Sequence, residues 1–444
     1  MNARRLFLPV AGAVFLAFAA GLAFGVADLP PVPQLREHLR LIRGASATSD
    51  AHGLTLAKRH EGAGLVRLRE GRASPGLTLL QLTEKGGHVL RLVDLAGATV
   101  REWPLDWHAH WDEAPHVDPP ERLPSDYRGY HVQGFEMEPD GSGVAVFSHL
   151  GAVRYDRCGG VLWRLDRLVH HAVTGDGAGG YWFPDRVQPE DVPARWLPWG
   201  KTADDLRRAI IREGDGMLNA VTRVDAEGRV LATHPILPAL EAAGFYGAID
   251  AGLSARWWDP LHLNDIEIVD AALAGRLAGV EAGDLLLSMR TPSLLAIVDD
   301  ETGAARWSAR GAWVQQHDPD VEPGGTIVLF NNMSLADGPY VPEAEAESTI
   351  LALEPDTLAE RVVHPPAGAA PFRSDIMGTH QRLANGNRLI AETRRGRAFE
   401  ATPEGEVVWS YVVPFDDRRA GLVYEAERFA PGYFDEDPRT WRCD

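Results

Sequence analysis

One phrase recurs six times along this chain and limits the folds open to it. An apolar residue is followed by an acid, then by a Gly two to four residues on, then by a strand that often holds a Trp. The copies are Val93-Asp94…Gly97…Trp103, Tyr155-Asp156…Gly159…Trp163, Val224-Asp225…Gly228…Leu231 and Val298-Asp299…Gly303…Trp307. A fifth, Leu353-Glu354-Pro355-Asp356, is degraded, and the sixth is Ala401-Thr402-Pro403…Gly405…Trp409. The acid and the Gly suit a tight hairpin turn, and the Trp suits a wedge between neighbouring sheets. Spread over Thr78 to Pro414, six copies give a period of about 56 residues. Self-similarity of that order, among short β-like runs with little 3.6-residue periodicity, predicts an all-β, six-bladed β-propeller over 76–414.

Another phrase runs in step with the first. His131, His171, His262, His317 and His380 each stand before a Gly- or Asn-containing turn that leads into an apolar strand, as in Trp313 to Asn332. If the units fan about an axis, these histidines sit at similar heights and aim at one central pocket. Two long segments, Asp106 to Tyr130 and Pro184 to Met217, interrupt the repeat and read as rim insertions; Ala203 to Glu213, within the latter, reads as helical. The tail from 415 to 444 is polar and turn-rich, as for a segment packed on the outside of the propeller.

Composition excludes some functions. The net charge of −19, from 44 Lys+Arg against 63 Asp+Glu, leaves no basic footprint for nucleic acid. No P-loop, dinucleotide-binding Gly motif or nucleophile elbow is present. Arg4 and Arg5 precede an uncharged apolar run from Leu6 to Ala27 and a Pro-rich break at Pro30, Pro31 and Pro33. Residues 1–27 therefore read as a membrane-spanning anchor or a signal peptide, with the remainder exported and membrane contact made through this helix. Residues 28–75 read as a linker with one short helix, where Leu35, Leu39 and Ile42 share a face. Cys158 and Cys443 are the two cysteines; a disulfide or two separate thiols both fit the sequence. The sequence carries no signal of oligomeric state.

The neighbours of the histidines suggest a chemistry. His262 belongs to His-Leu-Asn-Asp, which places Asn264 two residues on, and Arg290 ends an apolar strand where a cation needs an anionic partner. Neutral imidazoles, one guanidinium and amides suit a tetrahedral oxyanion such as a sulfate or phosphate ester. His-His-Ala-Val at 170–173, His-Leu-Asn-Asp at 262–265, Ser-Met-Arg-Thr-Pro-Ser at 288–293, Gln-His-Asp-Pro at 316–319 and His-Gln-Arg-Leu-Ala-Asn-Gly-Asn-Arg-Leu-Ile at 380–390 occur in that order. This ordered set resembles the bacterial arylsulfotransferases that work without a nucleotide sulfate donor.

The resemblance implies a periplasmic six-bladed propeller that moves a sulfuryl group from an aryl sulfate to a phenol through a sulfohistidine, with no cofactor and no metal ligands. By motif, His317 would be the nucleophile, His262, His171 and Arg290 would surround the sulfate, and Asn264, Thr379 and His380 would complete substrate binding; of the adjacent pair His170 and His171, the latter is taken to face the site. Three or four imidazoles in a funnel would equally serve a metal-dependent enzyme, and the same frame would serve a quinone-dependent enzyme or a non-catalytic exported scaffold.

Overall fold

The computed structural model describes residues 55–118, 120–213, 219–333 and 347–443, all within the compact unit Leu54–Asp444. The expected anchor at 1–27 and the helix at 34–43 lie outside the described residues. Among the described residues, no helix is long and apolar enough to cross a membrane.

The strands follow the chain as β1 (Gly64–Leu68), β2 (Leu77–Glu84), β3 (Gly87–Val93) and β4 (Thr99–Pro104), then β5 (Val132–Met137), β6 (Gly143–Phe147), β7 (Gly151–Tyr155) and β8 (Val161–Leu165). Next come β9 (Thr174–Gly175), β10 (Tyr181–Arg186), β11 (Asn219–Val224) and β12 (Val230–Pro235), then β13 (Leu263–Ile268), β14 (Leu285–Met289), β15 (Leu294–Val298) and β16 (Ala305–Ala309). The last are β17 (His317–Glu322), β18 (Thr326–Asn331), β19 (Thr349–Glu354) and β20 (Ala359–His364), then β21 (His380–Arg382), β22 (Arg388–Glu392), β23 (Arg397–Ala401), β24 (Val407–Val412) and β25 (Leu422–Phe429). They form six antiparallel sheets, five of four strands and one of five. This is the six-bladed propeller that the repeat predicts. Middle strands such as β14 (LLLSM) and β15 (LLAIV) are buried throughout, because neighbouring blades cover both faces of each sheet.

The ring closes differently from the sequence expectation. β25, expected in an outer tail, pairs with β2 and is the innermost strand of the sheet β25-β2-β3-β4. β1, expected in the linker, pairs with β24 as a fifth, outermost strand. Both ends of the unit are thus fastened by strand pairing, which covers edges that would otherwise stay open. Neither strand carries the repeated turn, so periodicity does not report them.

The repeated acid-Gly-Trp phrase is the turn between the third and fourth strand of a blade. Asp156 Oδ1 accepts from the backbone N–H of Cys158 and of Gly160 (both 2.8 Å), and Asp225 Oδ1 from Glu227 (3.0 Å) and Arg229 (2.9 Å). The indole N–H of the preceding blade then donates into the turn: Trp103 to Arg157 O (3.1 Å), Trp163 to Ala226 O (2.9 Å) and, across the closure, Trp409 to Leu95 O (3.1 Å). Gly228, at φ 78°, leaves room for this indole; a Cβ there would lie 2.8 Å from Trp163.

Cys158, in one such turn, is disulfide-bonded to Cys443 across 285 residues. The bond holds the last residues against the ring, where Trp441 packs near Trp103 with Arg101 and Arg157 over its ring. Cys443→Ser is expected to lower stability by about 2–4 kcal/mol in urea unfolding; an unchanged midpoint would show that strand closure alone sets the stability.

Candidate functional site

A regular strand turns alternate side chains to opposite faces, so it cannot present two neighbours to one cavity. Four inner strands escape this rule through β-bulges at the same end of the ring. The register slips between Val132 and Phe135 in β5, between Leu263 and Asp265 in β13, and between His317 and Asp320 in β17; Tyr424 is the extra residue where β25 meets β2. The bulged residues Gln133, Gly134, Asn264, Asp318 and Tyr424 all line one cavity of about 100 Å³, together with His171, Asp265, His317, Thr379 and Glu425. Backbone geometry shows what this costs: His171 (φ 62°), His262 (φ 50°) and Asp318 (φ 51°) occupy the left-handed region, sparsely populated by non-Gly residues. Gly134 is needed for a different reason, since a Cβ there would lie 2.7 Å from Ala172 Cα in the next blade.

The hydrogen bonds assign the tautomers of His317 and His262. Asn332 Nδ2 donates to Ser374 O (2.8 Å) and Met377 O (2.6 Å), so its Oδ1 must accept. It accepts from His317 Nδ1 (2.7 Å), which leaves the lone pair of His317 on Nε2. Asn219 Oδ1 accepts from Leu263 N (2.9 Å), and His170 Nε2 lies between Asn219 Nδ2 (3.3 Å) and Asp185 O (3.4 Å). His170 Nδ1 and His171 Nδ1 lie 2.9 Å apart with one proton between them. His262 donates from Nδ1 to Asp259 Oδ2 (2.5 Å), and its ring centroid is 4.9 Å from that of His171. One cluster therefore holds a bare imidazole nitrogen, a hydrogen-bonded imidazole pair and a carboxylate-backed imidazole.

Electrostatics keeps the first two neutral. Burial, and then the Arg290 guanidinium, hold His317 down to about 3; burial, His262 and His170 hold His171 well below the usual imidazole range. Arg290 itself is buried and donates from Nη2 to Gln315 Oε1 (2.8 Å). Both rim insertions lie at this end of the ring, and Arg207 ties them together by pairing with Asp118 (3.2 Å) and Glu190 (2.7 Å).

Residues 210–413 match the family model described as arylsulfotransferase (ASST). The matched stretch belongs to the arylsulfotransferase family. It spans β11 to β24 and includes His262, Asn264, Arg290, His317, Thr379 and His380, and it points to a sulfotransferase. No curated protein matches the chain. Similar solved structures include a protein of unknown function from Bacteroides caccae (12% identity, TM-score 0.45, 79% of this chain and 99% of that one) and TolB from Acinetobacter baumannii (10%, 0.41, 81% and 67%). Virginiamycin B lyase from Staphylococcus aureus, in a catalytically inactive form with quinupristin, is another (9%, 0.35, 63% and 69%).

Within the arylsulfotransferase segment and just before it, the predicted residues divide into two groups. His171, His262 and His317 come together, with Arg290 close enough to act on His171 and His317, while Asn264 and Thr379 reach the cavity wall. His170 is wholly buried behind His171. His380 does not join them. β21 has no bulge, so alternation turns His380 away from the cavity that Thr379 lines, and its Nδ1 accepts from Arg388 Nη1 (3.1 Å) beside Asp320 (3.2 Å). His131 also stays outside, bonded through Nδ1 to Tyr424 Oη (3.0 Å). Asp318, Asp320 and His380 form a group with metal-ligand spacing, each offering one donor atom within 4.8 Å of the others, although the Arg388 guanidinium on His380 opposes a cation there. Sequence reasoning misses Asp259, Asn219 and Asn332; the pair Asn331-Asn332 at the end of an apolar strand is the one available signal for the last.

Carboxylates from three inner strands face the axis near this cluster. Burial, then neighbouring acids, hold Asp265 and Glu425 up to about 8, and burial and Glu138 hold Glu136 at about 7. These groups keep protons that an unfolded chain releases near pH 4, so they withdraw stability as pH rises through about 8. The depressed imidazoles act with the opposite sign, and only as pH falls below about 6.5. The melting temperature is therefore expected to fall from about pH 6.5 to 8.5, less steeply in Glu425→Gln. A rise across that window would contradict the assignment.

Proposed function

We propose that this protein transfers a sulfuryl group from an aryl sulfate to a phenol through His317. The reading rests above all on the Asn332 contact, which leaves His317 Nε2 as a neutral, unprotonated nitrogen beside His171, His262 and Arg290. His317 Nε2 attacks sulfur, an N–S bond forms and the S–O bond to the aryl oxygen breaks. His262 starts as the imidazolium, its Nδ1–H donating to Asp259, and gives its Nε2 proton to the phenolate, leaving sulfohistidine on His317. The incoming phenol then gives its proton to His262 as its oxygen attacks sulfur and the N–S bond breaks, so the proton on His262 is restored and one ester replaces another. Asp259 fixes the His262 tautomer and faces the charge when that ring is protonated.

Sulfuryl transfer, like phosphoryl transfer, is expected to pass through a loose transition state, so positioning and charge stabilisation supply most of the catalysis. His171 and Arg290 supply that stabilisation at the non-bridging oxygens, Arg290 through its planar fork. Asn264 retains one amide N–H beyond the one donated to Gln316 O (2.8 Å). We further place the catalytic unit in the periplasm, held at the inner membrane by the apolar run at 6–27. The Cys158–Cys443 disulfide suits that oxidising compartment.

With 4-nitrophenyl sulfate as donor, nitrophenolate release is expected to accelerate on adding phenol and to vanish in His317→Ala. Asp259→Asn is expected to lower kcat by about 10²-fold or more, and by more with phenyl sulfate, whose phenolate needs the proton. Release indifferent to the acceptor, or unimpaired in His317→Ala, would contradict the proposal.

A further inference from the structure

The proposed reaction uses the imidazoles of the cavity but leaves its acids unexplained. An aryl sulfate is an anion, yet Asp265, Asp318 and Glu425 line the same small cavity, on which Arg290 acts through His171 and His317. The bulges create this arrangement, because they bring Asp265 to the cavity beside Asn264 and Asp318 beside His317. Backbone N–H groups hold each carboxylate in place: Ile266 N donates to Asp265 (2.7 Å), His380 N to Asp318 and Phe135 N to Glu425 (3.1 Å).

Independent support comes from an amide. Asn264 is only 5% exposed and lines the cavity, its Nδ2 donates to Gln316 O, and its Oδ1 has no partner among the described residues. Three carboxyl groups and an orphaned amide oxygen make one wall of the cavity rich in acceptors. A ligand suits it if it brings N–H donors and positive charge.

We propose that the sulfuryl acceptor is a phenol bearing an alkylammonium group, whose cation lies against Asp265, Asp318 and Glu425. This inference rests on the sulfotransfer reading and adds the class of acceptor to it.

The test uses the full chain, 4-nitrophenyl sulfate as donor, EDTA throughout, and three acceptors that differ in one tail: 4-(2-aminoethyl)phenol, 4-ethylphenol and 3-(4-hydroxyphenyl)propionate. The amine is expected to exceed 4-ethylphenol in kcat/KM by about tenfold or more, with the carboxylate poorest. That preference is expected to shrink to about twofold or less in both Asp265→Asn and Glu425→Gln. Equal use of the amine and the neutral phenol, or a preference that survives both substitutions, would overturn the proposal. So would a preference absent in EDTA and restored by calcium or manganese, which would assign the wall to a metal ion. If no acceptor is sulfated, the sulfotransfer reading fails by itself. Calorimetric titration without donor then decides the cation site: tighter binding of the amine than of 4-ethylphenol, lost in both variants, supports it, and equal binding overturns it.

Discussion

Everything at the candidate site depends on strands that break their own alternation. A propeller guarantees that inner strands point at an axis, but a regular inner strand shows that axis only every other side chain. Bulges in β5, β13, β17 and β25 lift this limit at one end of the ring, and the residues they displace form the cavity wall. Left-handed backbone at His171, His262 and Asp318 is part of the same device. Such conformations persist only where surrounding structure holds them, and here the blade sheets and their indole latches supply that hold.

Convergence alone would give only a group of buried imidazoles. Chemical differentiation comes from what stands behind each ring: an amide whose own donors are already used behind His317, another imidazole behind His171, and a carboxylate behind His262. In the proposed reaction, three residues of one type thereby serve as nucleophile, sulfate-binding group and proton carrier. Each backing group is local: His170 is the chain neighbour of His171, Asp259 precedes His262 by three residues, and Asn332 follows the strand paired with β17.

This explains which parts of the molecule can be read in the chain. The six blades are legible because the turn between third and fourth strands needs a side-chain acceptor, a left-handed Gly and a neighbouring indole, and Asp225, Gly228 and Trp163 meet those needs locally. The closing strand Leu422–Phe429 is not, because it follows the last such turn and reads as a polar tail until paired with β2. Repetition and motif point to His171, His262 and His317. They wrongly group His380 with these: its ring is held by Arg388 beside Asp320 on an unbulged strand, and those partners leave no mark in the repeat. Asp259 and Asn332 escape notice for a related reason: a partner supplied across a loop has no spacing rule.

The account is tested most directly by identifying the atom that carries the sulfuryl group in mid-reaction. The purified protein would be mixed with 4-nitrophenyl sulfate without acceptor, quenched under alkaline conditions that preserve sulfohistidine, digested and mapped by mass spectrometry. One added SO₃ on His317, discharged when phenol is supplied before the quench, is the predicted result. An adduct on another residue, or a protein that turns over yet carries none on His317, would contradict it.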